Sequence, residues 1–394
     1  MASSVAVPAE DRLLTADYVF ATLANFANSF GSQMLTATLP VYVLVLGGDQ
    51  ADAGLISGML AFTALLLRPP IGWLADIWRR RPLVLVGTAG YGAASIVYLL
   101  AGSVPMLMLG RVVHGFGLCN YTTAANAYLA DIAPPRRRAE AIGFFSAAAG
   151  LGLILGPAIG FWIIDLAGFH EMFYFSAVLA FSAFGISFFS RERRPPPPGP
   201  RPAWTPRTGI VALDALPVAW MSLCLGMGFG PVSAFVAIYA QSRGIGNPGL
   251  YFTVQALALL ASRAFSGRLA DRRGRAFVAF PGIIAVAVAV GMLPWAADFW
   301  QFMLSAAIYG MGFGMAQPAT MALLVDRVPP AQHGLAMSTY FTGFDLGISV
   351  ASIGLGIVGQ TWGFGVVWPI SAACTLLGLL GFLPGRRQAA KIAT

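Results

Sequence analysis

Charge is what this chain has least of. Lysine occurs once against 23 arginines, and Lys, Arg, Asp and Glu together make up only 10% of 394 residues. Soluble domains carry about 25% charged residues, so the shortage excludes a surface that meets water all round. Histidine is scarce too, present only as His114, His170 and His333. No Ser/His/Asp spacing, phosphate loop or metal-ligand cluster accompanies them, so neither an enzyme nor a cofactor or metal site is expected. The three cysteines, Cys119, Cys224 and Cys374, sit in separate apolar runs without a CxxC pair, which gives no disulfide framework. The N-terminal stretch lacks a basic segment leading into a short apolar one. It does not resemble a cleaved leader, and the first apolar run is expected to act as its own insertion signal.

Apolar sequence is abundant: 57% of residues are hydrophobic and the mean hydropathy is +0.73. A bilayer crossing needs about 20 mostly apolar residues. Spans are predicted at about 17–46, 52–76, 82–102, 105–130, 138–164 and 171–190, then 212–241, 248–270, 276–296, 299–325, 333–359 and 364–384. The runs are continuous, unlike the alternating segments of a membrane barrel. The net charge of +8 lies in short arginine clusters, not on one basic face, so nucleic acid is not an expected partner. The clusters are Arg79–Arg81, Arg136–Arg138, Arg272–Arg275, the segment between spans 6 and 7, and the C-terminal tail. All fall on one side of a twelve-span topology, and the positive-inside rule puts that side and both termini in the cytoplasm. Arg243 is the exception on the opposite side. The excess of Arg over Lys and the abundance of Ala fit a GC-rich bacterial genome, so a bacterial cytoplasmic membrane is the expected location.

The proline-rich stretch Arg193–Arg207 is expected to be extended polyproline II and to separate two halves. The division is a tail at 1–16, a six-helix bundle at 17–190, a cytoplasmic Pro/Arg-rich linker at 191–211, a second bundle at 212–384 and a tail at 385–394. An internal repeat supports it. The segment from Arg68 to Asp76 reappears from Arg263 to Asp271, and that from His114 to Pro135 reappears from Tyr309 to Pro330, both at an offset of 195 residues. Asp131 is thereby matched with Asp326, and Gly152 with Gly347. Halves with six spans each share one orientation, an architecture of transporters with substrate at the interface near mid-membrane.

Three motifs carry a family resemblance over about residues 17–384. The first is the loop with Gly72, Asp76, Arg79, Arg80 and Arg81, and its sister with Gly267, Asp271, Arg272, Gly274 and Arg275. The first copy has Ile77 where a basic residue is usual and Trp78-Arg79 where Gly is usual. The second is Arg111, His114, Gly115 and Gly117 in span 4. The third is Gly143, Gly152, Gly156, Pro157 and Gly160 in span 5, spaced as G-x8-G-x3-G-P-x2-G. Together they resemble the major facilitator superfamily, in particular its 12-helix drug:proton antiporter branch. The resemblance implies an all-α membrane fold: 12 transmembrane helices in two parallel, pseudo-symmetric six-helix bundles. It also implies a gating role for the loops, with Asp76 accepting hydrogen bonds near His333 and Gly334. Proton coupling is implied for the span 4 motif and antiport for the span 5 motif.

Other candidates come from polar residues in apolar spans. Asp345 is the clear mid-span acid, and a buried carboxylate there is expected to carry a proton, bind a cationic group or neutralise an arginine. With Arg111 and His114 it forms the proton-coupling and substrate set. Asn25, Asn28 and Gln33 fall near one face of span 1; Asn120 and Asn126, then Gln317, Tyr340 and Phe344, complete the cavity candidates. Arg68 and Arg263, shared by both repeats, are expected to serve the fold or the gate. The expected protein is a monomeric secondary transporter in the lipid bilayer, exporting a small molecule by alternating access with the proton as coupling ion. An uptake symporter is the alternative, and a non-transporting membrane receptor a more distant one.

Overall fold

A computed structural model describes residues 14–134, 137–191, 213–328 and 333–383. Twelve α-helices follow one another: α1 (Ala16–Val45), α2 (Gln50–Ile77), α3 (Arg80–Leu99), α4 (Val104–Ile132), α5 (Arg138–Ala167), α6 (Phe169–Phe188), α7 (Leu216–Ser242), α8 (Gly249–Arg273), α9 (Arg275–Gly291), α10 (Phe299–Arg327), α11 (His333–Trp362) and α12 (Phe364–Leu376). Three ends tighten into 3₁₀ turns, at Leu213–Ala215, Leu293–Trp295 and Leu377–Phe382. The last two fall inside spans 9 and 12 as expected from sequence, so those spans finish in 3₁₀ rather than α geometry. The linker beyond Arg191, Arg136 and both chain ends lie outside the described residues, as does the Asp76 side chain.

Helix starts are set locally. Thr15 accepts a hydrogen bond from the Tyr18 N–H at the head of α1, and Asp49 and Asp52 form a reciprocal capping box at the head of α2. The Asp17 carboxylate in the first turn of α1 accepts the Arg191 N–H at 3.2 Å, fastening the start of α1 to the end of α6. Prolines stand inside α1, α2, α5, α7, α9, α10 and α12, as membrane helices tolerate. Large apolar side chains such as Leu66, Trp162, Phe188, Trp300 and Leu380 are exposed around the bundle. Lipid would cover them; water would not tolerate a patch of that extent.

The packing repeats with the sequence. In the first half α1 packs on α5 and α6, α3 on α4 and α6, and α2 on α4; in the second, α7 packs on α11 and α12, α9 on α10 and α12, and α8 on α10. Each second-half pair is the first-half pair advanced by six helices. The halves meet along two main seams, α2 against α11 and α8 against α5, which the same operation exchanges. Among the described residues, nine helices are long and apolar enough to cross a membrane by length and composition. The three that fall short are α1, α4 and α8, because each carries a row of polar side chains on the face it turns to the interior.

Candidate functional site

Those polar faces meet in a cavity of about 490 Å³ between the halves. From α1 come Asn25, Asn28, Ser29, Ser32 and Gln33, steps of three and four that keep one helical face inward. The Asn25 amide donates to the Phe145 carbonyl at 2.9 Å and its oxygen accepts the Tyr121 hydroxyl at 3.4 Å, so α4 and α5 hold it in place. The second half contributes an aromatic cluster: Phe229, Phe313 and Phe344 pack ring to ring at 5.6–5.9 Å and all three line the cavity. Asn126 and Gln317 line it as well.

Asn120 and Tyr340, expected from sequence beside them, face elsewhere. Asn120 is buried and donates to the Phe116 carbonyl of its own helix at 2.9 Å. Asn126, six residues on, points a different way round α4, since six residues are not a whole number of helical turns. Tyr340 is fully buried where α7, α10 and α11 meet, its hydroxyl 2.9 Å from that of Thr320 and its carbonyl accepting from Ser222.

First-half lining residues occupy the parts of α1, α4 and α5 nearest the arginine-rich connections; this is the basic end of the bundle. At the opposite end the halves touch backbone to backbone, and the two seams do so in register. A Cβ on Gly54 of α2 would run into the Ser352 carbonyl of α11, and one on Gly249 of α8 into the Pro157 carbonyl of α5. A turn further in, the Ser349 hydroxyl donates to the Gly58 carbonyl at 3.3 Å, and the Thr253 hydroxyl to the Ile154 carbonyl at 2.6 Å. Each residue in the second contact is the 195-residue mate of one in the first.

Register persists at the next level, but the chemistry diverges. Arg68 of α2 meets Asp345 of α11, with Nε donating to Oδ2 at 2.6 Å and the carboxylate 8% exposed. Arg68 also lies over the Phe341 ring. The mates of this pair are Arg263 of α8 and Gly150 of α5. Both line the cavity, and among the described residues Arg263 reaches only the Gln317 side-chain oxygen, at 3.4 Å. Asp345 is thus held in the seam, next in sequence to the cavity-lining Phe344.

Arg111 and His114 lie on α4 beyond the cavity, toward the sealed end. Both are fully buried. The His114 ring nitrogens contact two hydroxyls, Nε2 with Ser32 at 3.2 Å and Nδ1 with Tyr98 at 3.3 Å. Ser32 also lines the cavity, so a chain of polar atoms leads from it to His114 and Tyr98. None of the three Arg111 guanidinium nitrogens makes a hydrogen bond to the described residues.

The arginine-rich loops form a second matched pair. Arg80 lies 3.1 Å from the Asp131 carboxylate at the end of α4, and Arg275 lies 2.7 Å from Asp326 at the end of α10. Again the two are mates at 195 residues. Arg81 donates to the Phe188 carbonyl at 2.7 Å. Arg79, Asp271 and Arg272 are exposed, and Gly72 and Gly267 have open space around them. The turn into α9 uses Gly274 at φ +93°, a conformation that glycine alone adopts freely. Its mate Arg79 makes the corresponding turn in an extended conformation, φ −69°, after the extended Trp78.

In α5, the glycines at 152, 156 and 160 lie on α1: a Cβ on Gly152 would stand 2.6 Å from the Phe30 nitrogen, one on Gly156 2.8 Å from the Phe30 carbonyl oxygen, and one on Gly160 2.5 Å from Met34. Pro157 faces α8 instead, meeting Gly249 across the seam. Gly143 has open space beside it, so packing does not require it.

Several lining residues carry little or no signal in the sequence. Gln255 and Ser32 are marked only by being polar in apolar spans, and Phe229 and Phe313 by nothing that separates them from other apolar residues. Arg263 matches Arg68 in the repeat, which points to the fold or gate, although its surroundings are those of the cavity.

Comparison with known proteins agrees with this architecture. The family model described as Major Facilitator Superfamily matches residues 21–261 and 248–393. The inner membrane transport protein YajR of Escherichia coli is 25% identical over 85% of this chain and 76% of its own. The quinolone resistance protein NorA of Staphylococcus aureus is 26% identical over 73% of this chain and 76% of its own. A solved POT family transporter in complex with a thioalcohol-conjugated peptide superposes with a TM-score of 0.80 at 13% identity, over 96% of each chain; at that identity the likeness concerns the fold alone. With helix order, repeat and family model all in agreement, this multi-pass membrane chain belongs to the Major Facilitator Superfamily.

Proposed function

We propose that the protein is a proton-coupled exporter of a small molecule, working by alternating access in a bacterial cytoplasmic membrane with both termini in the cytoplasm. The observation that carries this reading is the cavity itself: it lies between two repeated bundles, closed at one end by matched backbone contacts and extending toward the basic end. The positive-inside rule makes that end cytoplasmic, the side from which an exporter loads. Similarity to NorA, a quinolone resistance protein, favours export. So does the span 5 motif, whose glycines bring α5 onto α1 while Pro157 meets α8 in the sealed end.

Asp345 is the group we assign to coupling. A buried ion pair is held against a large desolvation cost and is sensitive to loss of either charge. A proton on Asp345 discharges its pair with Arg68 and loosens the α2·α11 seam; loss of the proton re-forms it. Arg111, buried and without a hydrogen bond to the described residues, and His114, linked through Ser32 to the cavity, form the second candidate relay. In proteoliposomes with the wild-type chain, substrate addition is expected to release protons, and Asp345→Asn to abolish that release. Unchanged coupled transport by Asp345→Asn would remove Asp345 from the mechanism. Counterflow in oriented vesicles under pH gradients of either sign decides direction: accumulation with the proton gradient, not against it, would favour the symporter.

A further inference from the structure

We infer that the cavity selects organic anions, an acidic group of the substrate taking at Arg263 the place that Asp345 takes at Arg68. The inference rests on the transport reading above and specifies the substrate class of the same cavity.

Three features of the cavity converge. First, Arg263 is the sole charged side chain among the described residues lining the cavity, and no carboxylate lines it. Second, the repeat supplies an internal control. Arg68 and Arg263 are mates on matched seams, and toward the sealed end the Gly54–Ser352 and Gly58–Ser349 contacts recur as Gly249–Pro157 and Thr253–Ile154. At the arginine level one seam has a carboxylate 2.6 Å away, while the other has Gly150, which contributes no side chain. Third, the space is not blocked. A Cβ on Gly150 would be 3.6 Å from Leu260, an ordinary contact, and the cavity opens between α5 and α8 at this level.

The chemistry follows from the guanidinium. Arg263 is exposed to the cavity, and the Gln317 amide oxygen at 3.4 Å is a weak, neutral partner that leaves the guanidinium's charge unneutralised. A carboxylate, sulfonate or phosphate can accept two parallel N–H donors from its planar fork. In the same cavity, the rings of Phe229, Phe313 and Phe344 offer a shelf for an aromatic or aliphatic body. The cavity volume, about 490 Å³, is in the range that takes one drug-sized molecule. An amphipathic anion satisfies Arg263 and the rings at once; a cation would meet Arg263 with no acid to offset it.

The test uses the full chain in nanodiscs with three probe anions, fluorescein, 1-naphthalenesulfonate and phenyl phosphate, and one probe cation, ethidium. At least one anion is expected to bind more tightly than ethidium. Arg263→Gln should weaken that anion by about tenfold or more, with Arg263→Lys losing less, as for a charge-assisted contact. Gly150→Asp leaves Arg263 in place and supplies the missing carboxylate; it should weaken the anion about as much as Arg263→Gln. Gly150→Asn, of the same bulk without the charge, should weaken it about tenfold less than the Asp variant. Binding of none of the three anions at millimolar concentration would overturn the inference. Anion affinity unchanged in both Arg263→Gln and Gly150→Asp would do so as well. The two readings fail separately: ethidium flux driven by a pH gradient, with no anion bound, sinks the anion assignment and leaves transport standing. Arg263-dependent anion binding with no pH-driven flux of any probe does the reverse.

Discussion

The α2·α11 and α5·α8 seams are one design used twice and finished differently. Both begin at the sealed end with a glycine against a carbonyl, Gly54 on Ser352 and Gly249 on Pro157, and continue with a hydroxyl-to-carbonyl hydrogen bond. They part at the arginines: Arg68 closes its seam on Asp345, while Arg263 and Gly150, the mates of that pair, both line the cavity. These two contacts are kept in both copies, and the position where the copies differ borders the cavity. A symmetric protein would have either two closed seams or two charged gaps. The asymmetry leaves one seam as a strut and opens the other.

Breaking the strut should have the largest effect. Arg68→Gln alone leaves the buried Asp345 carboxylate without its partner and is expected to cost about 3–5 kcal/mol; Asp345→Asn leaves the half-buried Arg68 unpaired and should cost less. The double variant should recover most of that loss, because no charge is then left unpaired. Denaturation in detergent micelles, read as a double-mutant cycle, measures it; additive losses would show that the pair does not act as a unit. Next in size come the glycine contacts. Gly54→Leu and Gly249→Leu force a side chain into a carbonyl of the other half and should each cost about 1–3 kcal/mol as overpacking. Both are also expected to block closure of the sealed end and to increase the labelling of cysteines introduced there. Their effects should be alike, and a large difference would break the equivalence of the seams. The smallest effects belong to the loop pairs. Arg80→Gln and Arg275→Gln remove ion pairs that are partly exposed, which are typically worth about 0–1 kcal/mol. The loss at Arg80 should be the greater, since its side chain is 13% exposed against 35% for Arg275.

The legible part of this protein was what a bilayer imposes locally. Long apolar runs between arginine clusters mark helices whatever packs on them, and α1 to α12 fall close to the expected spans. The step pattern of Asn25, Asn28 and Gln33 was readable because a helix repeats its faces every three to four residues, and all three line the cavity. Asn120 was less readable, since a polar residue in a membrane helix can satisfy itself on its own backbone, as it does at the Phe116 carbonyl. Arg263 shows the limit from the other side: a repeat match implies equal position, and position alone does not say whether a partner stands opposite.

The sequence by itself determined the crossing helices, the division into two like-oriented halves and the 195-residue correspondence between them, because hydrophobic length and internal similarity are properties of one strand of residues read in order. Tertiary structure decided which arginine is paired and which faces the cavity. Arg68 and Asp345 are 277 residues apart, and nothing along the chain records that α2 lies against α11 and α5 against α8. Only the packing of the bundles brings a carboxylate to one guanidinium and a glycine to the other, and in a low-dielectric interior that choice governs which charge the cavity will accept.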